Sequence, residues 1–76
     1  MEKIYEILAE IRPENDFKSS EDFIEDGFLD SFDIITLIDI IEEKLGVKVE
    51  GTDIVPENFC SAKAICELVK KNGGSI

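Results

Sequence analysis

Histidine and tryptophan are absent from the 76 residues, and the chain has only two cysteines, one methionine and eight basic residues. Without histidine there can be no Ser-His or Cys-His nucleophile pair and no histidine metal site. A glycine-rich phosphate loop is missing too, so intrinsic catalysis has little to rest on. Cys60 and Cys66 lie outside any CxxC or Cys/His ligand spacing and read as reduced thiols of a reducing compartment. The first residues lack the basic segment and apolar run of a signal peptide, and no later run is long enough to span a bilayer. A soluble, cytoplasmic protein is expected, without membrane insertion. The shortage of base leaves 18 acids against 8 basic residues and a net charge of −10, which argues against nucleic acid and anionic lipid as partners. Basic protein surfaces are the natural complement.

What the chain does contain is 43% hydrophobic residues, enough for one small core, so residues 1–76 are expected to form a single domain with a frayed tail over 72–76. Ile4, Ile7, Leu8 and Ile11 keep the spacing of one helical face and predict a helix from about Glu2 to Ile11, stopped by Pro13. From Pro13 to Asp30 no period persists. Phe17, Phe23, Ile24, Phe28 and Leu29 are scattered along what reads as a long loop pinned to the core by its aromatics. Phe32 to Leu45 predicts a second helix, closed by Gly46. Val47, Lys48 and Val49 read as an extended connector, Thr52 and Asp53 as the cap of a single helical turn, and Pro56-Glu57-Asn58 as a turn. Ser61 is the expected N-cap of a last helix from Ala62 to about Lys71, whose apolar face is Ala62, Ile65, Leu68 and Val69. The fold class is all-α: a small four-helix bundle with three main helices and a short third one.

Within the second helix, Ile34, Leu37, Ile38, Ile41 and Leu45 fall in one arc of about 100°, the width of a core-facing stripe. Phe32 and Ile35 lie on the other side, among Thr36, Asp39, Glu42 and Glu43. Periodicity leaves two accounts open: this face receives a partner, or the long loop folds over its apolar groups. The charge is equally lopsided, because residues 14–43 hold eleven acids and Lys18 alone among bases. A calcium loop counted from Asp22 would place Asp26, Gly27, Asp30 and Asp33 at EF-hand positions, but Ile24 stands at a ligand position and no amphipathic helix leads in. That match is weak.

Ser31, just before the helical run, would ordinarily be read as an N-cap. Its setting points elsewhere. The run Gly27-Phe-Leu-Asp-Ser-Phe-Asp, then Ile-Ile-Thr-Leu-Ile and Glu-Glu-Lys-Leu-Gly, resembles the phosphopantetheine attachment motif of acyl carrier proteins. The triplet Asp30-Ser31-Phe32, the closing run Glu42 to Gly46 and the Pro56-Glu57-Asn58-Phe59 to Ser61 segment all fit, so the resemblance covers most of the chain. It implies an acyl-carrier bundle and a phosphopantetheine arm, taken from coenzyme A and joined covalently to Ser31, that holds cargo as a thioester. It also implies that helix two recognises partners, which makes Asp30, Phe32, Asp33, Ile35, Asp39 and Glu42 the candidate docking residues.

The implied partners are a phosphopantetheinyl transferase, a loading ligase or transferase, and downstream synthase enzymes with basic patches; the carrier itself is expected to be a non-catalytic monomer with no metal. Phe28-Leu29 before the Asp-Ser pair, Phe32 after it, and a less acidic start to helix two are more similar to D-alanyl, stand-alone peptidyl-type and specialised acyl carriers than to the commonest fatty-acid pattern. The cargo stays open among fatty acyl, polyketide, amino acid and D-alanyl groups. The rival account is an acidic helical module that binds a basic partner unmodified.

Overall fold

The computed structural model describes residues 2–74, and among these the architecture is all-α with no strand. Three helices form, α1 (Glu2–Ile11), α2 (Ser31–Leu45) and α3 (Ala62–Lys71); α1 and α3 match the expected spans, and α2 starts one residue earlier than the expected Phe32. The short third helix is instead two separate 3-10 turns, Gly51–Asp53 and Pro56–Asn58, with a further one at Phe17–Ser19 in the long loop. Proline at the start of Pro56–Asn58 supports a turn entry but leaves too few residues to propagate an α-helix.

Helix α1 packs against both α2 and α3 and buries Ile4, Ile7 and Leu8, with Ile11 half-buried at the edge of the core. The Arg12 N–H still bonds the Leu8 carbonyl at 2.9 Å, the last helical bond before Pro13. Helix α2 buries Ile34, Leu37, Ile38 and Ile41 of the expected stripe, leaves Leu45 half-buried at its end, and stops at Gly46, whose φ of 68° is the left-handed cap that favours glycine. Helix α3 buries Ile65, Leu68 and Val69 behind its Ser61 cap, which accepts the Ala64 N–H at 3.1 Å. Cys66 is a buried free thiol on the same face and Cys60 is half-buried.

The long loop is built as its aromatics suggest. Phe17 meets Phe23 and Phe28 edge to face, with ring centres 5.0 and 5.6 Å apart. The Phe23 N–H donates to the Cys60 carbonyl at 2.7 Å, tying the loop to the approach to α3, while the Phe23 carbonyl accepts from Phe28 and Leu29. Loop and core therefore share Phe17, Phe23 and Leu29, all buried.

The segment between α2 and α3 is fastened by polar groups as well as by Val47 and Val49. Glu42 Oε2 accepts the Val49 N–H at 3.1 Å. Buried Asp53 receives Lys71 at 2.8 Å and Asn72 at 3.4 Å, and the Asn58 amide bonds the Asp53 carbonyl. Within the tail expected to fray, Asn72, Gly73 and Gly74 donate their N–H groups back to the last turn of α3. Ser75 and Ile76 lie outside the described residues.

Candidate functional site

The site is the N-terminal end of α2. The residue that caps this helix is Asp30, not Ser31. Asp30 has extended backbone (φ −115°, ψ −177°), and its Oδ1 accepts the Asp33 N–H at 2.9 Å while Asp33 Oδ2 accepts the Asp30 N–H at 3.2 Å. This reciprocal capping box satisfies two backbone donors that a helix start would otherwise leave without partners. Asp30-x-x-Asp33 was the sequence signal for it. Ser31 thereby becomes the first helical residue, exposed, and its hydroxyl makes no hydrogen bond with any described residue. It sits at the positive end of a helix of 15 residues, a favourable place for an anion.

Arg12 completes the arrangement from the end of α1. Its Nε reaches Asp33 Oδ2 at 3.0 Å, and one terminal nitrogen lies 3.0 Å from Asp33 Oδ2 and 3.8 Å from Asp30 Oδ2. The hydrogen bond from the Asp33 N–H, aided by the Arg12 charge, holds the Asp30 carboxyl below its ordinary range. In return, the hydrogen bond to Asp33 and then its charge raise the Arg12 pKa further. Sequence reasoning missed Arg12. The only trace of it was that the sole arginine precedes the helix-stopping Pro13.

The six docking candidates separate into two groups. Phe32 is 77% exposed and Ile35 60%, so the long loop does not cover them; Asp39 and Asp30 are exposed as well. Phe32, Ile35 and Asp39, with exposed Glu43, share the outward side of α2 as a ridge of apolar and acidic groups, while Asp30 stands at the helix start as its cap. Asp33 is not part of that ridge: it is 6% exposed and committed to Arg12 and the cap. Glu42 is half-buried and turned to the Val49 N–H, so its carboxylate serves the fold. Both departures have one cause, since a carboxylate near the edge of a helix face can turn toward a backbone donor that periodicity does not reveal.

The carboxylates at the EF-hand spacing are engaged in local hydrogen bonds. Asp22 accepts the N–H groups of Ile24 and Glu25, Asp26 accepts the Ser20 hydroxyl, and Asp30 and Asp33 cap α2. Among the described residues no three or more carboxylate or thiol groups converge in a way that could hold a metal ion.

The start of α2 therefore presents an exposed, unbonded hydroxyl close to exposed apolar and acidic side chains. Comparison with protein families agrees: the model of the phosphopantetheine attachment site matches residues 2–69, and the chain belongs to that family. It is thus a carrier domain of the acyl-carrier type, a class that bears a covalently attached phosphopantetheine group. Searches of curated proteins and of solved structures gave no match. The structure suits such a group, because Ser31 offers a free nucleophilic oxygen at a helix start, with no side chain bonded across it. Among the described residues no helix is long and apolar enough to cross a membrane.

Proposed function

We propose that Ser31 is the residue that carries the phosphopantetheine, and that the chain shuttles an acyl or aminoacyl group between enzymes that dock on the outer ridge of α2. The observation that carries this reading is the transfer of the capping role to Asp30, which frees the Ser31 hydroxyl. Ser31 Oγ would attack the coenzyme A phosphorus that bears the pantetheine. The new Oγ–P bond replaces the P–O bond to adenosine 3′,5′-bisphosphate, which leaves, and the serine proton passes to a base of the transferase. The terminal thiol of the group supplies the thioester chemistry when loaded. No base is needed in the carrier, consistent with the absence of histidine.

The ridge suits transient partners. Phe32 and Ile35 give apolar contact, while Asp30, Asp39 and Glu43 favour basic surfaces and fast, salt-sensitive encounters. Free Cys60 and Cys66 suit a reducing cytoplasm, where coenzyme A and its dependent enzymes work.

The test is mass spectrometry. Incubated with coenzyme A and a broad-specificity phosphopantetheinyl transferase, the wild-type chain gains one phosphopantetheine mass and Ser31→Ala gains none. Ser31→Ala also keeps the wild-type melting temperature, because the lost hydroxyl made no bond. No gain in the wild type with an active transferase refutes the reading and favours an unmodified interaction module.

A further inference from the structure

The first turn of α2 poses an electrostatic difficulty for chemistry at Ser31. Asp30 and Asp33 flank the hydroxyl in sequence and both reach back to the helix start. The group arriving there is a pyrophosphate and the product is a phosphodiester, both anions. Two uncompensated carboxylates would oppose each of them and offset the help given by the helix dipole.

Arg12 is the only basic residue paired with either carboxylate among the described residues. Its fork reaches Asp33 Oδ2 through two nitrogens, both at 3.0 Å. That same oxygen accepts the backbone N–H of Asp30, the residue before Ser31. One carboxylate oxygen therefore links the end of α1 to the backbone that presents the serine, across a sequence separation of 21 residues. The guanidinium also spans toward Asp30 at 3.8 Å and Glu14 at 3.6 Å, so its charge is shared by three acids around the site.

We propose that Arg12 is a positioning residue for the modification of Ser31: it holds Asp33 in the capping box, so that the serine hydroxyl stays free, and it compensates the two carboxylates beside the incoming phosphate. The proposal rests on Ser31 being the attachment residue. Arginine rather than lysine is required for the first task, because only the planar fork can meet the carboxylate with two nitrogens at once. Lysine would serve the second task in part.

The experiment measures pantetheinylation rates of wild type, Arg12→Gln, Arg12→Lys and a control, Lys71→Gln, which breaks the ion pair with Asp53 far along the chain. Rates are compared at equal folded fraction, and amide hydrogen exchange is followed at Asp30 and Asp33. Arg12→Gln should load about tenfold more slowly, Arg12→Lys should recover part of that loss, and both should exchange the Asp30 amide faster than wild type. Lys71→Gln should load at the wild-type rate. If wild type loads and Arg12→Gln loads equally fast, or if Lys71→Gln is slowed as much as Arg12→Gln, the role of Arg12 is overturned. If wild type gains no mass, the Ser31 reading falls and this one falls with it.

Discussion

Replacing Phe32 by alanine should separate stability from recognition, because the structure assigns this side chain almost wholly to solvent. A phenylalanine can bury roughly 200 Å². At 77% exposure, folding hides only about a quarter of that, worth ~1 kcal/mol at ~25 cal/mol per Å². Alanine is the better helix former and returns roughly 0.5 kcal/mol. The net cost is therefore under ~1 kcal/mol, a fall of only a few degrees, about 5 °C at most, in melting temperature for a domain of this size.

A docked partner that covered the remaining surface could gain up to ~4 kcal/mol from it, and a well-placed aromatic commonly contributes ~2 kcal/mol. That predicts a fall of about 30-fold in kcat/KM for pantetheinylation of Phe32→Ala. The assay pairs transferase kinetics with thermal melting, with Asp39→Lys as a companion whose defect shrinks as salt is raised. A loading rate within threefold of wild type would refute the docking role of Phe32. A loss of melting temperature much larger than that of an exposed residue would refute the exposed placement itself.

Two further perturbations probe the core and its polar fastening. Phe59 is fully buried, so Phe59→Ala should cost about 3–5 kcal/mol, a large share of the ~4–11 kcal/mol available to a chain of this length, as read from a urea titration. Lys71, followed by Asn72, holds the Asp53 carboxyl below its ordinary value of 3.8, so the stabilising contribution of this group is complete above that value and is lost as pH falls through the lower pKa of the folded state. Melting temperatures of wild type and Asp53→Asn should therefore differ by a constant amount near neutral pH and converge below pH 3.8. A difference that persists unchanged in acid would show that the ion pair is not its source.

Much of the site was readable because it is encoded locally. Asp30-Ser31-Phe32 and the Glu42 to Gly46 closure are contiguous, and the core stripe of α2 repeats with the helical period. A periodic pattern, however, reports only which residues share a side of their own helix. It does not report what the rest of the chain places against that side. Phe28 and Phe32 are equivalent on a hydropathy scale, yet the loop turns Phe28 onto Phe17 and leaves Phe32 in solvent.

The spans of α1 and α3, the attachment-site resemblance and the lack of histidine were legible in the order of residues, because these depend on neighbours within a few positions or on composition alone. The remaining features depend on how the helices meet in space. Asp33 and Asp39 are both acids on α2, and only the return of α1 with Arg12 makes the first a buried anchor and leaves the second free. Likewise, backbone geometry at Asp30 gave that residue the cap and released the Ser31 hydroxyl. In both cases hydrogen-bond partners are chosen by distance and direction in space, which the order of residues along the chain does not state.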